Sequence, residues 1–225
     1  MTIPRNLSFL AEGASSTGVL GTANGGTGLN TLGTAGQALV VNSGATGLTY
    51  STPSAGAMSL ISTQTASSSA SLQWTGLSGY NSYLIIIDSL KFSATGNTFL
   101  LQMGSGSGPT WITSGYIQQG SNQNQSTTIT GVYGNGTFSG WDLYVSLSGV
   151  GTTTSLLNSN ITISNVSNSS YKNVFFQSVD TYNGGSAIGN TGNLSNTSVI
   201  TAFRIIPSAS ANIVSGTASL YGISS

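Results

Sequence analysis

Four carboxylates (Glu12, Asp88, Asp142, Asp180) and four cations (Arg5, Lys91, Lys172, Arg204) are the whole charged inventory of this 225-residue chain. Histidine and cysteine are both absent. A Ser-His-Asp or Cys-His nucleophile therefore has no base to activate it, and disulfides and thiolate metal sites are excluded. Acid–base cleavage of a glycosidic bond needs two carboxylates at a fixed separation. Glu12 lies in a weakly patterned leading segment, so only Asp88, Asp142 and Asp180 are available for such a pair. Acidic residues at strand ends more commonly serve turns and ladders, and no Asp-X-Asp-X-Asp-Gly loop offers an oxygen cage for a metal. The expectation is a protein that is not an enzyme and carries no metal or cofactor, with an aspartate pair as the alternative.

Binding chemistry is better represented. Trp111, Tyr116, Tyr133, Trp141, Tyr171 and Tyr182 lie in or beside Gly/Asn-rich stretches, and Gln118–Gln125 is a run of amides and small residues. Aromatic faces beside amides suit a sugar, which makes Trp111, Tyr116, Tyr133 and Tyr182 candidate glycan contacts. The competing reading is that such rings close the core or pack across subunits, as large rings usually do. Arg204 interrupts an apolar run, and a buried charge needs a partner. Asp88, Asp142 or Asp180 is expected to supply it, within or between subunits.

The elements that must position these residues fall into two textures. Gly18–Tyr50 is too rich in glycine for a helix, since each helical Gly costs about 1 kcal/mol relative to Ala. It is also too regularly studded with Leu20, Leu29, Leu32, Leu39, Val40, Val41 and Leu48 for a plain linker. Flexible joints alternating with single apolar pegs describe an extended arm laid along another protein. Ile3, Leu7 and Leu10 have helical spacing but form too short a piece to hold alone. Asn24-Gly25-Gly26 and Asn42-Ser43-Gly44 are turn signals within the arm. The Pro-containing segment Ser51–Gly56 marks a hinge, so the expected organisation is an arm over 1–56 and a domain over 57–225.

From residue 57 onward, short apolar or alternating runs read as strands. They cover Met58–Thr65, Ser71–Trp74, Tyr83–Asp88, Thr98–Met103, Ile112–Gln118, Thr127–Tyr133, Trp141–Leu147, Asn160–Val166, Asn173–Val179, Val199–Ile206 and Thr217–Gly222. Val174–Val179 suggests burial on both faces. Gly120–Ser126 and Asn183–Asn193 read as loops, and Asn135-Gly136 and Asn183-Gly184 as tight turns. No helical pattern reaches ten residues. Such a series implies an all-β protein, with the extended N-terminal arm followed by a jelly-roll-like β-sandwich.

Charged residues are 4% of the chain and sum to zero, against about 25% in ordinary domains. That composition leaves no electrostatic footprint for nucleic acid or an anionic membrane. It suits a member of a fixed assembly, where solubility is not the subunit's own problem. No apolar run is long enough for a membrane span, and no secretion signal is expected. The Asn-X-Ser/Thr triplets at Asn135, Asn160 and Asn193 are accordingly read as composition.

At both ends the chain resembles a known group. Ala23–Gly28, Ala35–Leu39 and Gly47–Tyr50 resemble the N-terminal segments of tailed-bacteriophage fibre and virion proteins. Ile200–Ile206 with Gly216–Ile223 resembles the closing strands of a β-sandwich common in phage fibre and head-surface proteins, and Tyr80–Ile87 fits an early strand of that domain. The resemblance implies a homotrimer on the virion surface, made in the host cytoplasm. Its arm would be anchored on the major capsid protein or a tail protein through Ile3, Leu7, Leu10, Leu20, Leu29, Leu32, Leu39 and Val41. Capsid decoration, cement or head fibre is the first expectation. The alternative is a short tail fibre or tail-tip adhesin holding a host cell-surface glycan. No heptad or collagen-like shaft is present to lift a receptor domain outward, which favours the first.

Overall fold

The computed structural model describes residues 14, 18–22, 26–53, 57–123, 129–143, 155–181 and 186–224. The chain divides into two units, Met1–Ala55 and Gly56–Ser225. Among the described residues the named elements are all β-strands, and no helix is long and apolar enough to cross a membrane.

The first unit is less purely extended than its glycine content implies. β1 (Ala38–Val41) and β2 (Leu48–Ser51) pair antiparallel, with Ala38 opposite Ser51 and Val41 opposite Leu48. The turn between them follows the Asn42-Ser43-Gly44 signal. Asn42 N–H donates to Gly47 O, and the Asn42 side chain both accepts from Thr46 N–H and donates to Thr46 Oγ1. Asparagine thus supplies the turn with contacts that the backbone alone lacks. Upstream, Ala14 bridges to Leu20, and Gly26 and Gly28 donate to Gly21 O and Leu20 O.

The second unit holds two antiparallel sheets. The larger runs β3 (Met58–Thr65), β15 (Ile213–Ile223), β5 (Ser82–Phe92), β11 (Leu157–Ser164), β12 (Lys172–Asp180), β13 (Ser186–Leu194), β8 (Tyr116–Gln123), β9 (Ile129–Phe138). The smaller runs β10 (Trp141–Asp142), β6 (Phe99–Ser105), β14 (Ala202–Pro207), β4 (Leu72–Trp74), and β7 (Thr110–Trp111) pairs with β6. β4, β5, β11, β12 and β14 each turn one face inward, so the apolar alternation in sequence becomes a shared core between the sheets. Tyr83, Ile85, Ile87, Ile161, Ile163, Val174, Phe176 and Leu220 enter it from the larger sheet, and Leu72, Trp74, Phe99, Leu101, Met103, Phe203 and Ile205 from the smaller. The ring pairs Phe92–Phe99, Tyr83–Phe203 and Tyr116–Trp141 each join one sheet to the other. An all-β sandwich is the observed architecture.

Several expectations need correction. β12 buries only one face: Val174 and Phe176 point inward, while Phe175 and Val179 are exposed. Asn135-Gly136 does not close a hairpin but lies inside β9, where pairing with β8 slips from Tyr116↔Phe138 to Ile117↔Asn135. The glycine and asparagine there form an irregularity within a strand. Most of Asn183–Asn193 is not loop but β13, an interior strand between β12 and β8. Its lack of apolar alternation hid it. Glycine is required instead, because a Cβ on Gly192 would sit 2.3 Å from Ile117 O and 2.9 Å from Trp141 Nε1. A strand glycine of this kind marks close approach by a neighbour. Gly120–Gln123, also expected as loop, extends β8. Leu147 and Asn183-Gly184 lie outside the described residues.

A β-bulge divides β5. Ile87 and Leu90 both face inward, and the two residues between them include Ser89 at φ 57°. Ser89 N–H donates to Asn158 Oδ1 and its hydroxyl to Asp88 Oδ1, so neighbours on two strands hold the bulge. Gly216 at φ +99° faces it, and a Cβ there would lie 2.4 Å from Ser89 O. Lys172, wholly buried at the start of β12, donates from Nζ to Asn168 O and Ser170 O and so ties down the preceding turn. Burial lowers its pKa from the ordinary lysine range.

Candidate functional site

The outer face of the smaller sheet brings together the chemistry that the sequence scatters. Phe203 and Ile205 point into the core, so alternation along β14 turns Arg204 to the other face. Arg204 is in register with Gln73 of β4 on one side and Gln102 of β6 on the other. Its Nε–H donates to Gln102 Oε1 at 2.8 Å. Gln102 is itself buried and donates from Nε2 to Ser139 O. Trp111 pairs with Gly104 on the same face, and the Arg204 Cζ sits 4.3 Å from its ring centroid. A cation stacked on indole at this distance is attracted by the negative ring face.

Glycine is again needed for the fit. A Cβ on Gly104 would come 3.0 Å from Trp111 Cε3 and 3.1 Å from Pro109 Cβ, so a side chain at 104 would push the indole away from the guanidinium. Burial draws the Arg204 pKa down from the arginine range, with nearby Tyr116 acting in the opposite sense. The guanidinium remains cationic at neutral pH. Among the described residues of the chain Arg204 forms no ion pair. Asp88 is exposed on the larger sheet, Asp142 is half-buried on β10 of the smaller, and Asp180 is buried at the end of β12. The topology does not bring the three carboxylates to one face.

The candidate glycan contacts separate. Trp111 is half-buried at the surface site just described. Tyr116 is fully buried, which corrects its reading as a sugar contact. Its hydroxyl accepts from Met103 N–H at 2.8 Å and donates to Ile112 O at 3.1 Å, so it serves the join between the sheets. Burial holds its pKa well above the ordinary phenol range, while the Met103 N–H and the positive Arg204 pull the other way. Beside it, Trp141 Nε1–H donates to Ile117 O, and the Gln118 amide exchanges two hydrogen bonds with the Asp142 backbone. Tyr133 is placed by its backbone in β9 opposite Gln119, and its side chain lies outside the described residues. Tyr182 lies outside them altogether. Gln102 and Gln73 were not singled out from sequence; only their strand register with Arg204 identifies them.

In the first unit, Leu20 and Leu29 are half-buried, whereas Leu32 is 92% exposed, Val41 63% and Leu39 42%. Thr22, Gly26, Val41, Thr46 and Leu48 border an open cavity of about 420 Å³. Ile3, Leu7 and Leu10 lie outside the described residues. Comparison of the chain with protein-family models, with curated proteins and with solved structures finds no match.

Proposed function

We propose that this chain is a structural protein of the tailed-bacteriophage virion surface, a homotrimeric capsid decoration, cement or head-fibre subunit attached through residues 1–56. The observation that carries the reading is the contrast between the two units. The second buries a core between its sheets, while among the described residues of the first none is buried and Leu32, Leu39, Val40 and Val41 are uncovered. Apolar side chains presented on a glycine-rich framework suit a surface that supplies the missing burial, at about 25 cal/mol per Å² removed from water. The partner in this proposal is the major capsid protein or a tail protein.

The strand order supports a jelly roll for the second unit. Taken along the chain, β3, β4, β5, β6, β10, β11, β14 and β15 are the first to eighth strands of a wound ribbon. First pairs with eighth (β3·β15), second with seventh (β4·β14), third with sixth (β5·β11) and fourth with fifth (β6·β10). Successive pairs alternate between the two sheets, as in a jelly roll. β12, β13, β8 and β9 extend the larger sheet beyond this core. The trimer is supported by the outer face of that sheet, where Leu60, Ile86, Phe175 and Val179 are exposed. Phe175 and Leu60 lie in one row across this face with Thr162, Leu84 and Tyr221 between them, and exposed apolar groups on such a face suit association with further copies.

Quantitative mass spectrometry of purified particles tests the proposal. Hundreds of copies per particle are expected for decoration of the head, and absence of the chain from particles would refute the proposal. A handful of copies located at the tail would replace decoration by the second reading, a tail-tip adhesin for host glycan, which the surface position of Trp111 favours.

A further inference from the structure

We infer that the outer face of the smaller sheet carries a binding site for the carboxylate of an acidic sugar, a uronic or sialic acid, built on Arg204. Three contacts fix the guanidinium. Gln102 accepts from Nε, Trp111 lies against one face, and β14 holds the stem between two paired strands. Gln102 is immobilised in turn through Ser139 O, so the orientation is set before any ligand arrives. The two terminal nitrogens, with four N–H donors in a planar fork, donate to no group among the described residues. A half-buried cation held rigidly with its fork unfilled matches a carboxylate in a bidentate arrangement.

The surroundings select a sugar over a protein. None of the exposed large apolar residues belongs to β4, β6, β7, β10 or β14. The apolar side chains on this face, Leu100, Ile206 and Trp111, are all half-buried, so a protein partner would find no fully exposed one to anchor on. Gln73, exposed and directly across from Arg204, offers an amide donor and acceptor suited to hydroxyls. The half-buried Trp111 indole edges the same site. The site needs neither the arm nor the particle, so this inference and the attachment reading can fail independently.

The test uses the full chain, ¹⁵N-labelled. The sequence has two arginines and three tryptophans, so the Arg204 Nε–H and Trp111 indole N–H signals can be assigned by substitution. Galacturonate oligomers and N-acetylneuraminic acid are titrated in parallel with their neutral methyl esters and with acetate. Saturable shifts of both signals are expected with the acids, with affinity at least about tenfold weaker for the esters and for acetate, the scale of one lost charged hydrogen bond. Arg204→Gln should abolish the response. Gln73→Glu, at an exposed position, should also weaken it about tenfold by supplying an internal carboxylate. This second variant keeps the test decisive if the first fails to fold. Esters binding as well as acids, acetate matching the sugars, or no shift at either signal would overturn the inference.

Discussion

Gly216 and Ser89 show how much of this fold rests on single residues. Both adopt left-handed backbone conformations, and they meet across β15 and β5 where the larger sheet absorbs a bulge. Gly216→Ala combines an unfavourable φ with a backbone clash, and it should destabilise the second unit by about 3 kcal/mol. Chemical denaturation of the variant beside the parent checks this. Tyr116 gives a prediction that depends on pH. Its pKa is raised in the folded state, so above about pH 10, the ordinary phenol value, unfolding releases a proton that folding retains. Its stabilising contribution is complete below that pH and declines as pH rises toward the folded value. Tyr116→Phe should therefore cost about 2 kcal/mol at neutral pH, because the buried Met103 N–H loses its acceptor. The variant should also show a shallower alkaline loss of stability. Tyr83, likewise raised by burial and by Tyr80, keeps some of that slope in place.

Strands were legible in the sequence where one face is apolar and hidden where glycine replaces a side chain. β5, β11 and β14 announce themselves through isoleucine, leucine and phenylalanine, and the structure places Ile85, Ile87, Leu90, Phe92, Leu157, Ile161, Ile163, Phe203 and Ile205 in the core while Ile86 stays on the outer face. β13 does not, because Gly189 and Gly192 carry no side chain to read and Gly192 exists to admit Trp141 and Ile117 O. Phe175 and Val179 misled for a different reason: they are apolar residues on an outward face, which composition cannot separate from burial on both faces. The site was legible only in part. Trp111 and Arg204 each stood out, but their contact depends on β7 folding back on β6 and on the β6–β14 register, which are long-range pairings. In the first unit the Asn42 turn was readable, and it carries its own prediction. A two-stranded hairpin is marginal alone, so Asn42→Ala, which removes both contacts to Thr46, should speed amide exchange across Ala38–Ser51. Exchange in the second unit should be unchanged.

At the scale of the whole molecule, the proposed place in an assembly rests on low charge, on exposed apolar residues of the larger sheet and on the uncovered leucines of the leading unit. Mass measurement of the purified chain in solution should give three times the 22.7 kDa subunit mass; a monomer at all concentrations would remove the trimer from the proposal. Placing Glu at Phe175 and at Val179 should lower the association state while leaving the fold intact, because both side chains already face outward. Chain mass and far-ultraviolet circular dichroism read those two outcomes separately.

The division of labour between the units has a direct test in one binding measurement. Residues 57–225 alone and the full chain are each incubated with particles lacking the protein, and the particle-bound fraction is determined after sedimentation. The full chain is expected to sediment with the particles. The truncated chain is expected to unfold cooperatively, as a folded domain does, yet to stay in the supernatant. Binding of the truncated chain at the level of the full chain would contradict attachment through the leading unit.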